Sequence, residues 1–195
     1  MGTTDNLEIV VRVGTSLTTN AQCRLAGYDT GWFIADEFNF GIQNEPTDFA
    51  ETTEADAMGT TFGTLTIKKS IDPCTPLSFL SCCKGNGFNS IEIHLLQTYY
   101  RVETGENANP QAVSPIFIAR FEVAQIEAWS IDGSLSNPCP KETISFNYEK
   151  VASGWVNQKD GSVISKGWST DWAASGTQRD SVPWEYSFKA RGRNA

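Results

Sequence analysis

Residues 64–85, TLTIKKSIDPCTPLSFLSCCKG, contain the one clear helix signature in a chain whose other patterned segments look like strands. The segment predicts a helix over residues 75–84. Thr75 suits the N-cap, and Pro76 suits the first helical position because its missing N–H would be unpaired there anyway. Gly85 can adopt the left-handed conformation that ends a helix. The apolar stripe of this helix would consist of Leu77, Leu80 and Cys83.

The segments around this helix alternate apolar and polar residues, which is typical of half-buried strands. The pattern runs from Leu7 to Val13 and from Trp32 to Ile42, with an interruption at Asp36. Further alternating segments are 64–69, 144–148 and 163–172. The predicted fold is mainly β: an antiparallel, barrel-like domain of two packed sheets with one short α-helix and a long extended loop.

Two long apolar runs change phase partway along. The run 91–102 alternates up to Leu95 and then switches face from Leu96 onward. The run 115–131 slips between Val123 and Ile126. Such a change of phase predicts a β-bulge or a sharp barrel corner in each strand.

The loop and the chain ends complete the domain prediction. Residues 43–61 form a long acidic stretch without a pattern of its own, and such loops are usually functional or disordered. We expect one domain over residues 1–172 and a C-terminal extension over 173–195. That extension carries basic residues in a chain of net charge −8. They are Arg179, Lys189, Arg191 and Arg193.

Composition excludes several classes of function. The chain has 195 residues, with 23 acidic and 15 basic side chains, so it would repel a phosphate backbone and we expect no nucleic-acid partner. No stretch approaches the roughly 20 apolar residues that cross a bilayer, so we expect no membrane insertion. The N-terminus lacks the features of a cleaved signal peptide. The five cysteines are therefore expected to be reduced in the cytosol.

Each residue that could be catalytic or bind a metal also has an ordinary structural interpretation. His94 could be a general base oriented by Glu92, but no nucleophile motif accompanies it, so a surface or interface histidine is favoured. The adjacent Cys82 and Cys83 lack the spacing of a zinc site and are expected to be small core side chains. A Cys74–Cys139 disulfide would require export and oxidation.

Two further clusters also have ordinary structural interpretations. Glu51, Glu54 and Asp56 lack the residue order of a calcium loop and are expected to form a solvated acidic loop. Several tryptophans could form a sugar-stacking platform, although aromatic side chains in a β domain mostly fill the core. They are Trp129, Trp155, Trp168 and Trp172. We expect no enzyme activity, no cofactor and no metal site.

The order of these elements resembles the haemolysin-coregulated protein (Hcp) family, the inner-tube subunits of the bacterial type VI secretion system. The N-terminal strand leads to an aromatic strand ending in Glu37-Phe-Asn-Phe-Gly41, and a long loop and the helix opening Thr75-Pro76-Leu77 follow. The resemblance covers roughly residues 5–172. The remaining matching segments are 71–72, 88–103, 115–131, 142–148 and 166–168.

This resemblance implies a mechanical role. Hcp-like subunits form homohexameric rings that stack into a tube, which is propelled by a contractile sheath. The implied partners are further copies of the chain, the sheath, the spike protein and effector proteins. Assembly would take place in the cytoplasm, followed by secretion through the type VI apparatus. Candidate assembly contacts are Phe40, Gly41, Glu45, Asp48, Glu51, Glu54, Arg179 and Arg191.

Two alternatives remain open at this point. A carbohydrate-binding β-sandwich module would need its tryptophans clustered and exposed. A tube protein of a phage-tail-like extracellular contractile particle would share the same subunit fold.

Overall fold

The computed structural model of the chain describes residues 6–14, 16–18, 21, 23, 25, 27, 28, 30–44, 60–99, 112–134, 139–156, 163–172 and 179–183. These residues form strands and one helix, α1 (Thr75–Lys84). The strands before α1 are β1 (Asn6–Val13), β2 (Phe33–Ala35), β3 (Glu37–Asn39), β4 (Ile42–Asn44), β5 (Thr60–Phe62) and β6 (Leu65–Ser70). The strands after it are β7 (Gly87–Tyr99), β8 (Ala112–Asp132), β9 (Lys141–Asn147), β10 (Lys150–Val156), β11 (Val163–Trp172) and β12 (Arg179–Pro183).

The strand pairs are all antiparallel and form a path that is closed by the chain itself between β2 and β3, in agreement with the predicted barrel-like β fold. From β7 the path runs through β1 to β2, continues through β3, β6 and β9, and returns to β7 by way of β8. β9 and β10 follow one another along the same edge of β8, and β11 and β12 extend the sheet beyond β10. No helix in the described residues has the length and apolarity needed to span a membrane.

Closure depends on the place where the chain changes its hydrogen-bonding partner. The sequence predicts one strand from Trp32 to Ile42, but the structure divides this segment into β2, β3 and β4. β2 pairs with β1, whereas β3 pairs with β6. Asp36 lies at the break, where its backbone N–H donates to the carbonyl of Lys68 at 2.8 Å. The polar residue that interrupts the pattern therefore marks the corner where the chain passes from one side of the barrel to the other.

The predicted phase change in β7 is confirmed as irregular pairing, and the one in β8 occurs slightly farther along the strand than predicted. The register of β7 and β8 shifts between Leu95 and Leu96. The register of β8 and β9 shifts between Ile126 and Ala128. Val123 in β8 has a φ of +53°, which a β-branched residue rarely adopts. The strain sits where the edge of β8 passes from one partner strand to the next.

The core lies inside the barrel. Alternate residues of the strands point inward, for example Val11 and Val13 of β1 and Ile91 and Ile93 of β7. A second, smaller cluster on the outer face of β1 and β7 is covered by the segment before β2. Its buried members are Val10, Cys23, Tyr28, Trp32 and Leu96.

Sequence patterning missed two strands. β10 reads KVASGWV and is mostly buried, so its two faces do not alternate in polarity. β12 lies within the segment expected to be an extension, and it pairs only with β11 among the described residues.

Candidate assembly surfaces

The start of α1 is attached to the barrel by a buried polar cluster. Lys69 of β6 and Glu142 of β9 are both fully buried and form an ion pair, and Lys69 also contacts Asp72 at 2.7 Å. Glu142 accepts hydrogen bonds from the hydroxyl of Thr75 and the indole N–H of Trp129, each at 2.8 Å. Every charge in the cluster is thus paired, as buried charges require.

This cluster corrects the predicted N-cap. The N-cap residue is Cys74, and no side-chain hydrogen bond caps it. The Thr75 hydroxyl instead accepts from the Asp72 backbone N–H at 3.0 Å while donating to Glu142. The predicted bounds of the helix and its left-handed end at Gly85 are confirmed.

The face that α1 buries differs from the one predicted, because only Leu77 of the predicted stripe is even partly buried. Ser78 and Ser81 are its buried residues, whereas Leu80 is 44% exposed and Cys83 is exposed. Small serines allow the helix to approach the sheet closely. The Ser78 hydroxyl is satisfied by the carbonyl of Cys74 at 3.2 Å. The predicted apolar stripe was therefore wrong as a core face.

The outward side chains of α1 form an apolar surface together with the end of β8. Phe79 is 50% exposed and packs edge-on against Trp129, with ring centroids 5.2 Å apart. Ile131 of β8 is 47% exposed. Grouped apolar exposure of this kind marks interaction sites in folded proteins. We call Phe79, Leu80, Cys83, Trp129 and Ile131 the α1 face.

A narrow two-stranded ribbon stands at the base of the predicted long loop. β4 and β5 pair only with each other among the described residues, with Ile42 opposite Phe62 and Asn44 opposite Thr60. The prediction of a loop over 43–61 was thus wrong at its two ends, which are strands. Gly63 donates its N–H to the carbonyl of Gly41 at 2.8 Å, and a Cβ at Gly63 would approach that oxygen to 3.1 Å.

Phe40, a predicted contact residue, packs largely within its own subunit. It is partly buried against the core, edge-on to Phe121 with ring centroids 5.1 Å apart. Phe38 stacks beside it and also stacks on Phe117. Gly41, the next predicted residue, is exposed at the base of the ribbon.

A groove lies beside the bulge of β8 and is lined in part by Phe62, Phe88, Val123 and Tyr148. The Tyr148 hydroxyl is buried and has no hydrogen-bond partner among the described residues. Burial raises its pKa to about 12. Burying a hydroxyl without a hydrogen-bond partner lowers stability by about 1–3 kcal/mol. A hydrogen-bond acceptor on another molecule would therefore bind favourably to the Tyr148 hydroxyl.

The outer face of β1, β7 and β8 carries a row of charges. Glu92 lies between Arg12 and Arg120 in the strand register and pairs with both, at 2.6 Å to Arg12. Arg120 also contacts Glu122 at 2.9 Å. The row is neutral overall, so it does not form an anion-binding patch.

His94 is buried, at 8% exposure, so the expectation of a surface histidine was wrong. The ring lies beneath the segment before β2, where the Tyr28 hydroxyl is 2.9 Å from its Nδ1 and Trp32 packs at 4.7 Å between ring centroids. The proposed orienting residue, Glu92, is engaged by the two arginines. The contacts of His94 are those of a residue that holds a covering segment in position.

None of the five cysteines forms a disulfide. Cys74 is buried, and burial, together with the charge of Asp72, raises its pKa to about 11. Cys82 is partly buried against the core, as predicted, but Cys83 is not. Within the described ranges no group of three His, Cys, Asp or Glu side chains could hold a metal ion.

Only some of the remaining predicted residues lie in the described part of the structure. Trp129 packs beside α1 and pairs with Ile144, whereas Trp155 is 57% exposed on β10, opposite Phe117 of β8. These two tryptophans lie on different parts of the sheet and form no joint platform. Arg179 begins β12. Glu45, Asp48, Glu51, Glu54 and Arg191 lie outside the described residues.

Comparison with known proteins gives one family. Residues 24–155 match the family model described as "Type VI secretion system effector, Hcp", about two-thirds of the chain. No curated protein sequence matches the chain.

Solved structures share the fold. One described as a type six secretion system protein has a TM-score of 0.64 at 18% identity, covering 84% of this chain and 96% of that one. Hcp1 from Salmonella typhimurium has a TM-score of 0.62 at 15% identity, covering 89% and 98%. A type VI secretion system effector from Yersinia pestis has a TM-score of 0.58 at 15% identity, covering 83% and 98%.

Proposed function

The chain belongs to the Hcp family of type VI secretion proteins, and we propose that it is the subunit of a six-membered ring that stacks into the inner tube of a type VI secretion system. The family consists of structural secretion-system proteins and is not a known enzyme family. The proposed role needs surfaces that bind other subunits and does not need a catalytic centre.

The observation that carries the proposal is the orientation of α1. Its buried residues are serines, and its large apolar side chains Phe79 and Leu80 are half exposed. Each such side chain that stays in water lacks roughly 1 kcal/mol or more of the free energy gained on burial, and burial in an assembled state would supply it. A closed ring uses a heterologous contact, in which one patch of each subunit meets a different patch of the next. The α1 face provides one apolar patch for such a contact, and Trp155 of β10 provides another.

We further propose that the segment carried by the β4–β5 ribbon makes contacts between subunits or between rings. The ribbon lies off the main sheet and carries the acidic residues Glu45, Asp48, Glu51 and Glu54 between its strands. The base of the ribbon is held by the hydrogen bond from the Gly63 N–H to the Gly41 carbonyl. We call residues 45–59, which connect the two strands of the ribbon, the arm.

Deletion of residues 45–59 with a short turn in their place tests the arm. The protomer should still fold, because the ribbon pairs and the barrel core are untouched, but tubes should be lost. A variant with the same 15 positions replaced by glycine and serine keeps the length and removes the side chains. Light scattering would measure ring mass, and negative-stain microscopy would detect tubes. Normal tubes in both variants would refute the contact role of the arm.

The ring itself is tested by the solution mass of the unmodified chain. Six-membered rings are the expected result, and a monomer at high concentration would refute the proposal. Proteins of this family are secreted by the type VI system. We therefore propose assembly in the cytoplasm, interaction with sheath, spike and effector proteins, and export with the apparatus.

A further inference from the structure

We propose that the C-terminal segment of one copy, residues 184–195, docks on the α1 face of a second copy. The inference rests on the proposed self-assembly and names one contact within it. Residues 24–155 match the family model, so this segment lies outside the part of the chain that defines the family.

The receiving surface is mainly apolar. Phe79 and Leu80 of α1 are about half exposed, and Ile131 of β8 continues the same patch. Glu127, which precedes this part of β8, is exposed, Lys84 ends α1, and the chain as a whole has a net charge of −8. A matching ligand would be an apolar peptide that also carries positive charge.

The C-terminal segment, WEYSFKARGRNA, has that composition. Its aromatic residues Trp184, Tyr186 and Phe188 alternate with polar ones, so an extended segment would present all three on one side. Lys189, Arg191 and Arg193 follow. Twelve residues reach about 40 Å when extended, which is enough to cover a ten-residue helix and the adjoining strand end.

The direction in which the chain leaves β12 favours a second copy as the acceptor. Pro183 pairs with Trp168, whose row continues through Val151 to Phe121 of β8. The direction of β12 towards Pro183 corresponds, across β11 and β10, to the direction from Phe121 to Phe117 on β8. The α1 face lies the other way, near Trp129. β12 thus points away from α1 of its own chain, so we place the acceptor α1 face on a neighbouring copy arranged head to tail.

Disulfide trapping tests this contact in the full-length chain, because Cys83 is a natural exposed thiol on the α1 face. Tyr186→Cys adds a thiol on the same side of the extended segment as Trp184 and Phe188, the side that would face α1. Mild oxidation should yield covalent dimers and longer ladders on a non-reducing gel. Adding Cys83→Ser to this variant should remove at least nine-tenths of those products.

Three other results would overturn the inference. A cross-link within one chain would make the segment's own α1 face the acceptor. Products that persist without Cys83 would place the segment elsewhere. Absence of cross-links in a sample that forms rings would mean that another surface or partner covers α1.

A synthetic peptide of residues 184–195 gives an independent measurement. It should bind the chain truncated after Pro183, as measured by fluorescence anisotropy. Leu80→Glu in that chain should weaken binding at least tenfold. Ile34→Glu, at a similarly exposed residue of β2, should not change it. Equal binding by both variants would refute the docking site.

The docking contact and the ring can be refuted independently of each other. Rings of normal mass without cross-links or peptide binding would refute only the docking contact. A chain that stays monomeric at high concentration refutes the ring, whatever the peptide does.

Discussion

Replacing Lys69 by methionine is expected to destabilise the fold strongly. Lys69 and Glu142 are both fully buried, and the change leaves the Glu142 carboxylate without its cation. Removing one member of a buried ion pair costs about 3–5 kcal/mol. The hydrogen bonds from Thr75 and Trp129 remain, so we expect the lower part of this range. Methionine keeps most of the aliphatic stem, which limits any cavity.

Lys68→Met is the matched control. Lys68 is the neighbouring residue on β6, and its ion pair with Glu37 is about half exposed on both sides. Exposed pairs of this kind contribute about 0–1 kcal/mol. Both replacements remove one positive charge from the same strand, so a difference between them reports burial and not net charge.

Urea unfolding followed by tryptophan fluorescence measures the effect at one fixed protein concentration. With an m-value of about 2 kcal/mol/M, Lys69→Met should lower the midpoint by about 1.5–2 M, and Lys68→Met by less than about 0.5 M. Adding Glu142→Gln to Lys69→Met removes the stranded charge and keeps an acceptor, so it should restore at least half of the loss. Equal midpoints for the two single variants would refute the account of the polar cluster.

Three other predictions concern strain and titration. Val123→Gly should raise the free energy of unfolding by about 0.5–1 kcal/mol, because it relieves a left-handed φ at a half-exposed residue; a lower melting temperature would contradict this. At pH 8 Cys83 should react with a thiol reagent well before Cys74, whose pKa of about 11 keeps it protonated, and peptide mapping gives the order. Tyr148 should ionise near pH 12 by absorbance, and its contribution to stability should be full below pH 10 and lost between pH 10 and 12; ionisation at pH 10 would be the contrary result.

Local signals in the sequence were sufficient to predict the bounds of the helix and the presence of both strand irregularities. Pro76 and Gly85 act through their own backbone geometry, so the start and end of α1 are independent of what surrounds it. Asp36 and Val123 likewise interrupt an alternating pattern at the residues where strands change partners. The family resemblance rests on this order of elements, and the matching family model confirms it.

The exposure of side chains could not be read from the same patterns. Periodicity assigns the apolar face of a helix to the core, but Ser78 and Ser81 face the barrel because small residues permit close approach. His94 was expected at the surface and is buried because the segment carrying Tyr28 and Trp32 folds over it. Both depend on contacts between residues that are distant in sequence.

The sequence by itself determined the β-barrel class, the single helix and the family. These follow from backbone preferences and apolar spacing, which act over a few residues. Only the tertiary structure decided that Lys69 and Glu142 meet in the interior and that α1 turns Phe79 and Leu80 outward. Burial is a property of the whole chain, because it depends on which distant segments remove water from a side chain. The proposed assembly surfaces are therefore visible only once the barrel has closed.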